Sequence, residues 1–548
     1  MRVVLAAGLL LWVCAVAPAP GQTSQPSLPS GTNLATQWEA MFPRDAEGFT
    51  VFPSTPGAHL VLVSSSEGND NNDGSAGSPV MTFKRAMSLV EAHFPNRILF
   101  KRGDVFPAPL MNDVIECCGR GPGAPMIIGA YGPVSQPRPV IEAMISLGMK
   151  IQPNYLVIQS LDFYASSRDP SIAGFDLSKE VARQDFGVYT YTSGKYLWIE
   201  DCRFRFQTIG LDMQGKDDHF HGLVVRRCEV LDSYDNGGHS QGIYVDSYDN
   251  VLIEENVFDH NGWNENVAGA GRTIFNHNMY LQHTSNGEDR QFIVRNNVVA
   301  RAASHGCQLR PGGIMENNLF LRNALAGFVA DTSSIVSRNV VLDGDGIGPD
   351  FPRGSGLEVI NCPKVLVEGN IIAHKQDKIN LMSAMSYNPI SKDAPPAESR
   401  GEIRNNAIYD WTGTGFYTTA PSTGLNFHDN VLSLTDQALV ELKDYPDGYR
   451  FQNNRYFAST AQPFRIGDTW MDLSAWCKRT GETADQTPVH FVDPNRTIAT
   501  YAASIHLARA TLEGFLAAAR TQRRGHWDDR LTADAVNTYI RAGFAVKP

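Results

Sequence analysis

Between residues 199 and 454 one short hydrophobic–polar phrase keeps returning: an apolar residue, two mostly polar ones, then Asn or Cys, then a short apolar-rich strand. It reads Ile199-Glu-Asp-Cys202, Val225-Arg-Arg-Cys228, Ile253-Glu-Glu-Asn256, Val294-Arg-Asn-Asn297 and Met315-Glu-Asn-Asn318. It continues as Val336-Ser-Arg-Asn339, Val367-Glu-Gly-Asn370, Ile403-Arg-Asn-Asn406, Phe427-His-Asp-Asn430 and Phe451-Gln-Asn-Asn454. Successive phrases lie 21 to 41 residues apart, a fixed floor with variable excess, which suits one coil carrying loops of different length. Short alternating strands cannot bury a face alone, so such coils stack around a shared core. The pattern predicts an all-β, right-handed parallel β-helix. It excludes leucine-rich and ankyrin repeats, since neither a Leu-x-x-Leu-x-Leu lattice nor paired helices is present. Asn at a fixed turn slot predicts a side-chain amide ladder from coil to coil. Cys202 and Cys228 fill the same slot, where stacked free thiols are expected.

The ends of such a stack are open sheet edges and need covers. The apolar spacing of Phe83, Ala86, Met87, Leu89, Val90 and Ala92 predicts an amphipathic plug helix over 81–94, after the strand Leu60–Val63 and a Gly/Asn/Asp/Ser loop over 64–78. Past residue 460 the repeats stop, and helical patterning over 472–479, 505–520 and 532–542 predicts a C-terminal helical cap. At the other end, Met1-Arg2 precedes the apolar run Val3–Val16 and the small-residue stretch Ala17-Pro-Ala-Pro-Gly21. That is a secretory signal, and the run falls short of the roughly 20 apolar residues of a membrane span. The expected organisation is a signal over 1–21, an extension over 22–57, the β-helix over 58–460 and the cap over 461–548. The mature protein is expected to be secreted or periplasmic, monomeric and free of the membrane.

A second recurring strand begins at Gly or Asn. Aligned on those starts, the strands are Gly187–Tyr191, Gly210–Gln214, Gly242–Asp246, Asn278–Gln282, Gly306–Arg310, Gly327–Asp331 and Gly356–Ile360. Alternation turns the third and fifth residues of each outward. One outer column is then Tyr189, Asp212, Tyr244, Tyr280, Gln308, Val329 and Glu358; the other is Tyr191, Gln214, Asp246, Gln282, Arg310, Asp331 and Ile360. A solvated sheet face would show Lys, Thr, Ser and Glu. Aromatics, amides and carboxylates stacked every ~4.8 Å instead suit sugar rings and hydroxyls. Tyr244, Asp246, Gln282, Gln308, Asp212, Asp331 and Glu358 are the expected polysaccharide contacts, joined by His283 and by Trp263, Tyr234 and Tyr248 from nearby loops.

Candidate chemistry concentrates in the long coil between Asn256 and Asn297, whose loop carries Trp263, Glu265 and Arg272. His277 and His305 hold equivalent places in adjacent coils, and with Tyr280 and Arg310 they converge within roughly 10 Å. Composition narrows the partners. A net charge of −11 argues against nucleic acid and anionic membranes, and eight cysteines without any CxxC pair argue against structural zinc.

The run Leu60-Val-Leu-Val-Ser-Ser-Ser-Glu-Gly-Asn-Asp70, leading into Gly77-Ser-Pro79 and the helix after it, together with the repeats, resembles secreted right-handed β-helix carbohydrate-active proteins. These include polysaccharide lyases and mannuronan C5-epimerases. Tyr280 to His283, followed by Ser304-His305-Gly306 to Arg310, is similar to the Tyr…His…His-Gly pattern of the epimerases. Where those carry Asp-Pro-His-Asp this chain has Gln282-His283-Thr284, which counts against epimerisation. The resemblance implies proton abstraction next to a uronic carboxylate. Arg310 with Gln282 would neutralise the carboxylate, His305 or His277 would be the base, and Tyr280 the proton donor. Calcium would be an alternative neutralising cation in such enzymes, with Asp246, Asp212, Glu254 and Glu255 as ligands. The expected activity is a lyase cleaving a uronic-acid-containing polysaccharide by β-elimination. One alternative is a glycoside hydrolase working through paired carboxylates, Asp212 with Asp246 or Asp331 with Glu358. The others are a non-catalytic polysaccharide binder and a C5-epimerase.

Overall fold

The computed structural model describes residues 33–111, 114–148, 150–181, 183–216, 219–282, 291–348, 351, 353–388, 399–419, 422–484 and 489–546. The signal expected over 1–21 and His283 lie outside these residues.

Three long sheets of 14, 13 and 13 strands run the length of the molecule, each coil giving one strand to each sheet. Pairing is parallel throughout these sheets except for the last pair, Phe464–Ile466 with Thr469–Met471. The chain is a parallel β-helix. The ten phrases stack in register in the first sheet: Ile199 pairs with Val225, Val225 with Ile253, and so on through Phe427 with Phe451. Their first residues point into the common core.

The turn after each phrase explains its polar letters. Its third residue adopts a left-handed backbone at all ten positions, with φ between 51° and 62° from Arg227 to Gly369. Asn, Asp and Gly tolerate that conformation best, and they fill seven of the ten places. The fourth residue builds the expected ladder. Asn297 Oδ1 accepts both the backbone N–H and the side-chain amide of Asn256, at 3.0 and 2.9 Å. The same pair of bonds repeats to Asn454, whose amide ends on Glu482 Oε1 at 2.7 Å. Cys202 and Cys228 continue the slot as buried free thiols, and none of the seven described cysteines is bridged.

What covers the stack decides where function lies. At the first coils a helix, α1 (Leu34–Ala40), lies on the outer face of the first sheet, burying Trp38 with Phe42 and Phe52 against Ile127, Val157, Trp198, Val224 and Leu252. The plug helix α2 is shorter than the sequence pattern suggests, Phe83–Ser88, and stacks Phe83 on Phe100 with ring centres 5.3 Å apart. The C-terminal segment does two jobs. Helix α3 (Leu473–Thr480) seals the last coil by packing Trp476 between Phe451 and Phe464. Helices α4 (Ile498–Ser504), α5 (Leu512–Ala519) and α6 (Ala533–Gly543) instead run back along the second sheet and cover its outer apolar row, including Leu231, Val257, Leu319, Leu321 and Ile371. Among the described residues no comparable apolar cluster covers the outer face of the third sheet. That face carries the aromatic and polar columns.

Candidate active site

Strands Phe186–Tyr191, Ile209–Gln214, Gln241–Asp246, His277–Leu281, His305–Leu309, Leu325–Ala330 and Ser355–Ile360 form the central part of the open face. Register pairs Tyr189 with Asp212, Asp212 with Tyr244, Tyr244 with Tyr280, and Tyr280 with Gln308, as the alternation requires. The next coil differs. Gln308 pairs with Phe328 and Phe328 with Glu358, so Ala326, not Gly327, occupies the glycine slot. Val329 therefore points into the core, and Asp331 leaves the column for the turn beyond the strand, where its φ is 66°. The corrected columns run Tyr189, Asp212, Tyr244, Tyr280, Gln308, Phe328, Glu358, and Tyr191, Gln214, Asp246, Gln282, Arg310, Ala330, Ile360. A third column, three residues earlier in each strand, holds Phe186, Ile209, Gln241, His277, His305, Leu325 and Ser355. Strict alternation would turn these positions inward, and the sequence marks only His277 and His305 among them as a pair.

The four residues singled out for chemistry do meet. The imidazole rings of His277 and His305 lie 4.6 Å apart, the Tyr280 ring is 5.2 Å from His277, and the Arg310 guanidinium sits 5.4 Å above the Tyr280 ring centre. Hydrogen bonding assigns the His277 tautomer. The His305 backbone N–H donates to His277 Nδ1 at 3.2 Å, so that nitrogen holds a lone pair. His305 Nδ1 lies 3.1 Å both from that atom and from Ser304 Oγ. Burial and the nearby charges of Arg353 and Arg310 hold both imidazoles well below their ordinary pKa, so both are neutral near pH 7. Burial pushes the Tyr280 phenol upward, which keeps it protonated.

Two carboxyl groups, one buried and one half-buried, flank this centre. Asp212, 3% exposed, accepts from Gln214 Nε2 at 2.9 Å; burial raises its pKa to about 6, with a further push from Asp246. Glu358 accepts from Ser355 Oγ at 2.8 Å and is likewise raised by burial. Tyr244 O–H donates to Asp246 Oδ2 at 3.4 Å, and its ring lies 5.4 Å from that of Tyr280.

The remaining sequence candidates fall elsewhere. Tyr234 and Tyr248 are buried structural residues, the first bonded to the Arg168 carbonyl and the second to Thr190 Oγ1. Trp263 sits at the corner between the second and third sheets, against His260 at 4.5 Å and beneath Arg272 at 4.9 Å. The same corner holds a cleft of about 500 Å³ in which His260 bridges Asp232 and Glu265, at 2.8 and 2.9 Å, and Arg520 ties α5 to Asp232 and Asp259. Glu254 and Glu255 belong to the first sheet and its turn, where they pair with Arg226, Arg227 and Arg295. They do not join Asp212 and Asp246, and no group of three or more His, Cys, Asp or Glu suited to a metal ion occurs among the described residues. The four carboxylates read from the sequence as calcium ligands thus lie on two different sheets.

Asp212 yields a stability prediction. Its folded pKa of about 6 exceeds the ordinary 3.8, so its carboxyl favours folding only while protonated; that contribution is full below pH ~4 and lost as pH rises through about 6. Asp212→Asn is expected to raise unfolding free energy by about 2–3 kcal/mol at pH 8 and by little at pH 4, measured by urea unfolding. An equal gain at both values would remove the burial argument.

The family model described as "Right handed beta helix region" matches residues 171–342 and 294–456, together more than half of the chain. No curated protein sequence matches it. Among solved structures, the GH136 lacto-N-biosidase from Eubacterium ramulus is 14% identical, with 78% of this chain and 67% of that chain covered and a TM-score of 0.39. A mannuronic acid specific polysaccharide family 6 lyase from human gut microbiota is 12% identical, with 78% and 91% covered and a TM-score of 0.43. A pectate lyase is 13% identical, with 81% and 86% covered and a TM-score of 0.28. Matched over the stretch whose phrases stack coil upon coil, the chain belongs to the right-handed β-helix family.

Proposed function

We propose that this is an exported polysaccharide lyase that cleaves a uronic-acid-containing chain by β-elimination on the open face of the third sheet. The observation that carries the reading is the meeting of two neutral imidazoles, a protonated phenol and a guanidinium on two consecutive coils of the face that no apolar cluster of the described residues covers. Arg310, joined by Gln282, neutralises the uronate carboxylate and so acidifies the neighbouring C5–H bond. His305 Nε2 takes that proton, the electron pair forms the C4–C5 double bond, and the C4–O bond to the next sugar breaks. Tyr280 gives its proton to the departing oxygen. The cluster thus supplies a base, an acid and a charge partner without further groups.

One observation favours a second reading. Asp212, with its pKa near 6, and Asp246 are an acid and a carboxylate on adjacent coils, the pairing a glycoside hydrolase uses. The test is to offer the protein alginate, polygalacturonate, glucuronic-acid heteropolysaccharides and neutral glucans. Ultraviolet absorbance from the unsaturated product is expected with a uronan. Reducing ends without absorbance would favour the Asp212–Asp246 hydrolase, and neither signal would leave a binding strip.

A further inference from the structure

We propose that the strip takes a heteropolysaccharide in which single uronic acids stand between uncharged sugars, rather than a homopolymer of uronic acid. The inference rests on the lyase reading only for placing the scissile uronate at Arg310.

The argument comes from reading the charges coil by coil. From the N-terminal side the outward pairs are Tyr189/Tyr191, Asp212/Gln214, Tyr244/Asp246, Tyr280/Gln282, Gln308/Arg310, Phe328/Ala330 and Glu358/Ile360. Arg310 is the one cation within these pairs. Arg353, just before the Ser355–Ile360 strand, adds positive charge that bears on both imidazoles and on Glu358. Lys216, after the Ile209–Gln214 strand, sits 5.9 Å over the Tyr191 ring. Acids flank the cationic level on both sides: Asp246 and Asp212 two and three coils before it, Glu358 two coils after.

Coils rise by ~4.8 Å, close to the length of one pyranose, so successive sugars of a chain laid along the axis meet successive rungs. A homopolymer of uronic acid would bring a carboxylate to every rung. Those over Asp246, Asp212 and Glu358 would face like charge in a water-poor setting, which costs several kcal/mol. Uncharged sugars meet the opposite situation, because carboxylates and amides accept from hydroxyls. Gln308 fits a sugar seated on the Arg310 rung. Its Oε1 is buried, the residue is 6% exposed, and that oxygen has no partner among the described residues. A buried acceptor of this kind is satisfied by a donor on the ligand, such as a sugar hydroxyl. Tyr189 and Tyr244, half-buried on rungs without a cation, add aromatic surface for the sugars between.

The test uses full-length protein carrying His305→Ala, titrated calorimetrically with three hexasaccharides: hexagalacturonate, hexamannuronate and one with glucuronic acid at every third sugar. The last is expected to bind at least about tenfold more tightly than either homopolymer. Adding Asp212→Asn with Asp246→Asn, which keeps hydroxyl acceptors and removes the charge, is expected to raise homouronate affinity by about tenfold. Equal or tighter binding of a homouronate, no response to the double substitution, or no binding of any of the three overturns the inference. If the preference is found but native protein gives no unsaturated product, the lyase reading falls and this inference stands. If a homouronate is both preferred and eliminated, the reverse holds.

Discussion

Replacing His305 by alanine is expected to lower kcat by about a thousandfold, within the range that a lost general base costs, while the affinity for substrate changes little. His277→Ala is expected to cost less, because His277 accepts from the His305 backbone N–H and so positions the base rather than taking the substrate proton itself. The pH profile of kcat/KM separates the two enzymatic readings. Both imidazoles titrate well below their ordinary value, so the base is already deprotonated in mild acid and activity is lost only as pH falls through that lowered pKa. The Tyr280 phenol titrates above 10, so the acid is retained far into the alkaline range. The lyase is therefore expected to show a broad plateau across neutral pH. A profile that collapses above pH 6 would instead report Asp212 as the essential acid, since its proton is gone beyond that point. A loss in His305→Ala of less than about tenfold would remove the imidazole from the chemistry.

The repeat was legible because its period, its inward residue and its ladder Asn are all local. The left-handed residue before each ladder position is local too: seven of ten are Asn, Asp or Gly, and that bias is readable as a turn. The glycine slot of the third sheet has an equally concrete cause. A Cβ at Gly187, Gly210, Gly242, Gly306 or Gly356 would come within 2.3 to 2.8 Å of a carbonyl oxygen on the next coil. The same cue misleads at Ala326-Gly327. Gly327 is small for another reason, since its Cβ would strike Met315 Sδ and Leu357 in the core, and the slot itself is taken by Ala326. One residue of slip put Val329 and Asp331 on the outside in place of Phe328 and Ala330. What no periodicity could supply is which outer face stays open. That depends on α1 and α4–α6 folding back over the first and second sheets, through contacts hundreds of residues apart, such as Arg520 with Asp232. Tyr234 and Tyr248 looked like sugar platforms for the same reason: their burial comes from neighbours distant in the chain.

Breaking the amide ladder in mid-stack is expected to be the most destabilising polar substitution in the protein. Asn339 Oδ1 accepts from the backbone and the amide of Asn318, both at 3.0 Å, while its own amide donates to the Met315 carbonyl at 2.9 Å and to Asn370 Oδ1 at 3.0 Å. Asn339 is fully buried, so water cannot replace these partners. Asn339→Ala strands the Asn318 N–H, one Asn318 amide hydrogen and the Met315 carbonyl at once. Buried groups left unpaired cost about 1–3 kcal/mol each, which puts the loss at about 3–5 kcal/mol. Asn71→Ala in an exposed loop serves as the control and is expected to stay within about 0.5 kcal/mol. The two values come from thermal and urea unfolding of the same preparation. Each rung also fixes the turn that sends the chain from the first sheet to the second, so the loss should appear as faster hydrogen exchange at Asn318 and Asn339 before it spreads along the stack. A cost below about 1 kcal/mol would mean that the apolar core alone sets the coil register, and that the asparagines are there only for the turn.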